Sequence, residues 1–175
     1  DNGAGYAAEL GSEDNFRELL STTRLALERD WNEKAHSACA SSCLDCLRSY
    51  DNRRLHGALD WRLALDMLDL LAGDALAPSR WFDLGLETAR GIASTRLMSL
   101  EAGQTKGGVP YLAHRDRGKA VLLGHPLWQR DEDYAVDEQI IAIDELEDSL
   151  GAHGTTQSDV FEALRKPLSL LRWLM

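Results

Sequence analysis

The spacing of apolar residues predicts amphipathic helices in the first part of the chain. Apolar side chains recur every three or four positions over residues 13–30 and again over residues 57–72. Ser12 stands where an N-cap is expected for the first helix, and Gly73 where a C-cap is expected for the second. The apolar stripe predicted for the second helix consists of Leu59, Leu63, Met67, Leu70 and Leu71. A third helix is expected from about Arg80 towards Leu100.

The following part of the chain shows a strand pattern. Short apolar runs at 109–114 and 119–124 predict two strands, and the polar residues 115–118 between them predict a hairpin turn. Residues 101–108 are rich in Gly and polar side chains, so a loop is expected there. The two strands should therefore form a small antiparallel sheet.

Helical patterns return towards the end of the chain. Residues 135–150 have apolar residues at helical spacing, which predicts a helix with one buried face formed by Val136, Ile140, Ile143 and Leu146. A last helix is expected over 160–165, capped by Ser158 or Asp159 and ended by Pro167.

These elements predict an α+β fold that is mostly helical. The boundary falls at Ala77-Pro78-Ser79, where helix-breaking residues separate two helical patterns. We expect a helical module over residues 1–76, followed by a second part over 77–175 with a small antiparallel sheet and helices. Since the chain begins at Asp1 rather than Met, we also expect it to be a piece of a longer protein.

Charge and hydropathy narrow the class of protein. The 175 residues are 44% hydrophobic with a formal net charge of −10, and residues 131–148 hold nine acids and no Lys or Arg. Such a charge argues against a free-standing nucleic-acid binder, but it leaves room for a local basic patch. No apolar run approaches the roughly 20 residues of a membrane helix. We therefore expect no membrane association. Three cysteines in a chain without an export signal are expected to be thiols or metal ligands, which indicates a cytoplasmic location.

All three cysteines lie within eight positions, as Cys39-x3-Cys43-x2-Cys46. Thiolates at this spacing, in a segment without helical or strand periodicity, predict a tetrahedral zinc site. The fourth ligand is either His36, three residues before the first cysteine, or His56. With four protein ligands the zinc would be structural, because catalytic zinc keeps one position open for water.

Arginines flank the cysteine segment, at Arg48, Arg53, Arg54 and Arg62. Beside a zinc-held loop they could contact DNA phosphates, although ordinary surface charge explains them equally well. Two other sites are conceivable in the second part of the chain. One is a metal-dependent nuclease or hydrolase site formed by His114, Asp116, Lys119 and His125. The other is a protein-docking surface on the acidic helix.

The order of these residues resembles a known zinc-binding domain. Gly3 and Gly5 precede a helix, and the cysteines are followed by Leu-Arg-Ser-Tyr-Asp-Asn, a His and Leu-Asp-Trp-Arg. Over residues 1–73 this arrangement resembles MZB, a domain at the C-terminus of many superfamily-two DNA helicases. The amino-acid sequence of this motif is most similar to that in helicase-associated proteins of the DrmB type from DISARM-like phage-defence systems. The usual domain has a fourth local cysteine, where this chain has Ser37 beside His36.

The resemblance implies a non-catalytic, zinc-binding module of a DNA helicase or of a helicase partner. Its partners would be DNA and a motor domain or subunit, and it would act in defence against foreign DNA. ATP would be used only by a separate motor, since no G-x-x-x-x-G-K-[ST] phosphate loop occurs in the chain.

Overall fold

A computed structural model of the chain describes residues 11–32, 39–95, 99–129, 135–151 and 154–175. The expected turn at Gly3 and Gly5 lies outside the described residues. The chain divides into two compact units, Asp1–Ala77 and Pro78–Met175.

Two helices, α1 (Glu13–Asn32) and α2 (Trp61–Ala72), pack against each other in the first unit. Ser12 caps α1 as predicted, because its Oγ accepts a hydrogen bond from the backbone N–H of Asn15 at 3.4 Å. Gly73 ends α2 as predicted, with a positive φ of 84°. The predicted start of α2 at residue 57 is wrong: Arg53–Ala58 form a 3₁₀ helix instead.

The buried face of α2 also differs from the predicted apolar stripe. Leu65, Asp66 and Asp69 are buried, whereas Met67, Leu70 and Leu71 are 45%, 45% and 57% exposed. The first unit buries the Asp69 carboxylate because Arg24 on α1 neutralises it, with Nε 2.8 Å from Oδ1. Buried charge therefore outweighs leucine spacing in setting the face of α2.

The second unit begins with a 3₁₀ turn (Pro78–Trp81) and helix α3 (Phe82–Ala93). The prediction that this helix extends towards Leu100 is wrong. The hydroxyls of Ser94 and Thr95 donate hydrogen bonds to the carbonyl oxygens of Gly91 and Ile92, at 2.8 Å each. These side-chain bonds satisfy carbonyls at the helix end, where further backbone N–H donors would otherwise be needed.

A four-stranded sheet follows, made of β1 (Glu101–Gln104), β2 (Pro110–His114), β3 (Lys119–Gly124) and β4 (Gly154–Asp159). The strand order is β1-β2-β3-β4. Strands β2 and β3 are antiparallel as predicted, with a turn at 115–118 that ends on Gly118 in the left-handed region, and β1 pairs with β2 antiparallel as well. Strand β4 is parallel to β3, so the sheet is mixed rather than antiparallel. The α+β class is confirmed, and the loop expected at 101–108 is wrong, since it contains β1.

Three more helices complete the second unit: α4 (Asp137–Leu150), α5 (Val160–Arg165) and α6 (Pro167–Leu174). The predictions for α4 and α5 are confirmed, and Asp159 caps α5 by accepting a 2.8 Å bond from the N–H of Glu162. Pro167 does more than end α5, since it occupies the first turn of α6, where a missing N–H costs nothing. On α4 the buried residues are Gln139, Ala142 and Leu146. The predicted buried face is therefore wrong except at Leu146, since Val136 and Ile140 are exposed.

The core of the second unit lies against strand β3. Its main apolar cluster joins α3, β2, β3, α5 and α6, and comprises Ala89, Ile92, Leu112, Val121, Leu123, Ala163, Leu170, Leu171 and Leu174. Alternate residues of β3 point to opposite faces, so Ala120 and Leu122, which are also fully buried, lie on the other side. Helix α4 contributes nothing to that cluster and contacts β3 and β4.

Candidate metal centre

The three cysteine sulfurs lie together in the loop between α1 and α2. Cys46 Sγ lies 4.0 Å from Cys39 Sγ and 3.6 Å from Cys43 Sγ, and all three ligand atoms lie within 4.8 Å of one another. Tetrahedral zinc with Zn–S bonds of about 2.3 Å places its sulfurs about 3.8 Å apart. The cluster can therefore hold a metal ion, and its spacing matches that of a thiolate-bound tetrahedral one.

A tight turn produces this arrangement. The carbonyl oxygen of Cys43 accepts bonds from the backbone N–H groups of Cys46 and Arg48, at 3.3 Å and 2.9 Å. The backbone N–H of Cys43 points to Cys46 Sγ at 3.0 Å. An amide that donates to sulfur stabilises the thiolate, which is the form that binds metal.

Contacts with the start of α2 anchor the loop. The N–H of Trp61 donates to the carbonyl oxygen of Ser41 at 2.9 Å, and Arg62 Nη1 donates to the carbonyl oxygen of Ala40 at 2.8 Å. Arg62 is held in turn by the buried carboxylate of Asp60, whose Oδ2 lies 3.1 Å from Nη1. Asp60 was not predicted as a site residue, although an Asp directly before a helix is a capping signal.

The pKa values of two of the thiols indicate how easily a metal ion can displace their protons. Burial, followed by the neighbouring sulfurs, raises the pKa of Cys39 to about 12 in the absence of metal. Burial acts to raise the pKa of Cys43 as well, but hydrogen bonds from the Asp45 backbone and from the other two cysteines lower it overall. Metal binding must therefore displace a firmly held proton from Cys39.

Of the two candidate histidines, only His56 is described, and it does not join the sulfur cluster. His36 lies outside the described residues. His56 Nε2 lies 2.9 Å from the carbonyl oxygen of Ser49 and 3.0 Å from Asn52 Oδ1. The group of ligand atoms that the described residues bring together contains only the three cysteines.

The four arginines fall into two pairs. Arg48 and Arg62 are partly buried and hold the loop, since Arg48 Nε donates to Ser42 Oγ at 2.9 Å and Arg62 binds Asp60 and Ala40. Arg53 and Arg54 are exposed. The Arg53 guanidinium lies 4.8 Å from the ring centroid of Tyr50, which is itself 77% exposed.

The structure separates His125 from the other three residues of the alternative hydrolase site, of which Asp116 lies in the turn Arg115–Arg117 between β2 and β3. His114 and Lys119 face each other at one end of the β2–β3 pair, and Lys119 Nζ donates to the carbonyl oxygen of Trp173 at 2.7 Å. His125 follows the other end of β3, six residues away, or roughly 20 Å along an extended strand. His125 is also buried, packed edge-on against Trp81.

Comparison with protein-family models, with curated proteins and with solved structures gave no match to this chain. Among the described residues, no helix combines the length and apolar character needed to cross a lipid bilayer.

Proposed function

We propose that this chain is a non-catalytic module in which a structural zinc ion holds an arginine-bearing loop for contact with DNA. The observation that carries the proposal is the cluster of Cys39, Cys43 and Cys46 at the sulfur spacing of tetrahedral zinc. Soft thiolates favour zinc over magnesium or calcium, which bind oxygen. In a cytoplasmic setting, cysteines so placed serve as metal ligands rather than disulfides.

His36 is the better candidate for the fourth zinc ligand. It lies three residues before Cys39 in the sequence, whereas His56 Nε2 already contacts two oxygen atoms. We expect His36→Ala to weaken zinc binding by more than the 10- to 100-fold that loss of an outer-shell partner causes. His56→Ala is the matched control and should weaken it less. Competition with a chromophoric chelator measures both affinities, and the reverse order would assign His56 as the ligand.

The DNA-contacting surface that we propose consists of Tyr50, Arg53 and Arg54. These three side chains are exposed. Arginine side chains suit phosphate oxygens, and an exposed tyrosine can stack on a base of single-stranded DNA. Arg48 and Arg62 would act indirectly, by holding the loop in place.

The salt dependence of DNA binding tests this surface. We expect the wild-type chain to bind a labelled single-stranded oligonucleotide more weakly as salt rises from 50 to 200 mM. Each phosphate contact contributes about 0.7 to the slope of log affinity against log salt concentration. The variant R53A/R54A should therefore lower the slope by about 1.4 in fluorescence anisotropy titrations.

The matched control is R17A/R29A, which removes two exposed arginines from helix α1. It should leave the slope close to wild type. An equal loss in both variants would show that only net charge matters, and this would contradict the proposed surface. If the wild-type chain binds no DNA, the alternative is a pure protein adaptor. Such an adaptor would contact its partner through the acidic helix α4.

The cellular role that we propose rests on the resemblance to MZB domains. The module would assist a helicase motor, in the same polypeptide or in a partner subunit, and would act in restriction of foreign phage DNA. A net charge of −10 makes the chain a weak DNA binder by itself, which suits an accessory part of a larger assembly. ATP hydrolysis would belong to the motor.

A further inference from the structure

Helix α2 turns an apolar face towards solvent. Its buried residues are Leu65, Asp66 and Asp69, whereas the other side of the helix carries Leu63, Ala64, Met67, Leu70 and Leu71. At about 100° per residue, these five positions span an arc of about 120° that contains no polar residue of the helix. An apolar arc of this width is typical of a helix face that packs against another element. We call these five residues the α2 apolar face.

A groove extends the α2 apolar face on one side. It has a volume of about 230 Å³ and is lined by Leu47, Ala58, Leu59, Asp60, Leu63, Ala64 and Met67. Asp60, the charged residue in this set, is 4% exposed and bound to Arg62. The groove therefore presents apolar surface that is continuous with the helix face. Contiguous exposed apolar surface of this kind marks an interaction site.

The five side chains of the face are spaced symmetrically about Met67. Leu63 and Leu71 lie four residues before and after it, and Ala64 and Leu70 lie three residues before and after it. Two such helices can run antiparallel around a two-fold axis beside Met67. Leu63 of one copy then lies level with Leu71 of the other, and the small Ala64 lies level with the larger Leu70. An isologous contact requires a patch that is complementary to itself in this way.

Charge and size fit a weak contact between two copies. A net charge of −10 makes two chains repel each other, but the α2 apolar face carries no charge that would add to this repulsion. An acidic or basic partner would find no opposite charge on the face, whereas a second copy needs none. The face and the groove together hold eight apolar residues, fewer than the roughly 20–30 residues that each side of a standard interface contributes.

We propose that the α2 apolar face binds the same face of a second copy of this chain, in a weak antiparallel homodimer. The metal centre and the proposed DNA surface take no direct part in this contact, since neither Cys39, Cys43 and Cys46 nor Tyr50, Arg53 and Arg54 belong to the face or line the groove.

Sedimentation velocity with the full chain tests the homodimer. The measurement is made in about 0.5 M salt, which screens the repulsion between two acidic chains. We expect the average mass to rise from that of one chain towards that of two as the protein concentration increases from about 1 to 200 µM, as befits a small interface. A chain that stays monomeric throughout this range would overturn the proposal.

A single charge on the two-fold axis tests the location of the contact. Met67→Glu places two like charges next to each other in the dimer and should weaken dimerisation about tenfold or more. Met67 is 45% exposed, so the monomer tolerates the charge. The matched control is Leu25→Glu, which replaces a leucine of α1 that is 63% exposed and should dimerise as wild type. Equal loss in the two variants would contradict the α2 apolar face.

Three double variants test the antiparallel register. L63E/L71K places opposite charges level with each other across the two-fold axis, whereas L63E/L71E and L63K/L71K place like charges there. We therefore expect L63E/L71K to dimerise about tenfold or more tightly than both of the others. The comparison excludes an effect of net charge, because L63K/L71K is the least acidic of the three. Equal dimerisation of all three variants would overturn the antiparallel pairing.

Discussion

At the scale of single residues, Asp60 connects the fold to the candidate metal centre. Its carboxylate accepts a 2.8 Å bond from the N–H of Arg62 at the first turn of α2, and it also binds the Arg62 side chain, which reaches the carbonyl of Ala40. Asp60 is 4% exposed, and burial raises its pKa although Arg62 opposes the shift. One carboxylate therefore orders both a helix start and the loop that carries the cysteines.

Replacing Asp60 should separate its capping role from its charge. Asp60→Ala removes the cap and leaves Arg62 without its carboxylate, so we expect a loss of roughly 1–3 kcal/mol in the free energy of unfolding. Asp60→Asn keeps a good N-cap and should cost less. Urea unfolding followed by tryptophan fluorescence measures both, and equal losses would contradict a capping role.

The raised pKa of Asp60 also predicts how the stability of the wild type, relative to Asp60→Asn, depends on pH. The folded state takes up a proton at a higher pH than the unfolded state, whose Asp has a pKa near 3.8. The wild type should therefore gain stability relative to Asp60→Asn as the pH falls through that window, and lose it as the pH rises. A stability difference that does not change between pH 7 and pH 4 would show that Asp60 does not titrate abnormally.

The roles of some residues of the site could be predicted from the sequence, and the roles of others could not. Cys39, Cys43 and Cys46 could be predicted because their spacing alone limits where the sulfurs lie. The separate roles of the arginines could not, because exposure depends on tertiary contacts: Arg62 turns towards Asp60 and Ala40, while Arg54 faces solvent. The choice between His36 and His56 stays a prediction.

At the scale of elements, helix α3 lies so close to the sheet that one position admits only glycine. A Cβ built on Gly85 would lie 2.8 Å from Pro110 Cγ of β2 and 3.4 Å from Val160 Cγ2 of α5. Gly91 on the same helix is exposed and has nothing within 4 Å of a built Cβ. The two glycines therefore differ in packing while sharing a helical backbone.

Alanine substitution at these glycines should have opposite effects. Gly91→Ala is expected to stabilise the chain by about 0.5–1 kcal/mol, because alanine has the higher helix propensity. Gly85→Ala should destabilise it by roughly 1–3 kcal/mol, because the ring of Pro110 cannot move aside without disturbing β2. Thermal unfolding monitored by circular dichroism measures both. Stabilisation by Gly85→Ala would mean that α3 and the sheet are less closely packed than described.

Elements with strong local patterns could be predicted, and those defined by pairing could not. Strands β2 and β3 are apolar runs, and their bounds were nearly right. Strand β1 reads Glu-Ala-Gly-Gln and β4 reads Gly-Thr-Thr-Gln-Ser-Asp; both are polar, and apart from the two threonines of β4 neither contains a residue of high strand propensity. They are strands because β2 and β3 offer them backbone partners. At both edges of the sheet, pairing with a neighbouring strand rather than intrinsic strand propensity therefore determines the strand.

At the scale of the whole molecule, the proposed zinc ion should determine whether the first unit stays folded. Structural zinc contributes about 10–16 kcal/mol in zinc-finger peptides, which is comparable to the 5–15 kcal/mol net stability of a typical domain. We therefore expect a strong chelator, or the substitution Cys43→Ser or Cys46→Ser, to unfold the first unit. Circular dichroism and metal analysis of the treated protein measure this effect.

Restoration by metal provides the control for chelation. Added Zn²⁺ should refold the chelated wild type, whereas Mg²⁺ should not, because it prefers oxygen ligands. Zinc should also be lost more readily as the pH falls, since protons compete for the cysteine sulfurs. A metal-free protein with an unchanged melting temperature would contradict the structural role of zinc.

The position of α6 in the core has a consequence for synthesis on the ribosome. Leu170, Leu171 and Leu174 complete the apolar cluster around Val121 and Leu123, which are made roughly fifty residues earlier. At 5–20 residues per second, the central strand waits about 2.5–10 s for its last covering layer. During that interval the apolar Ala-Val-Leu-Leu segment of β3 lacks part of its cover, and we expect this to be when the nascent chain is most prone to aggregate.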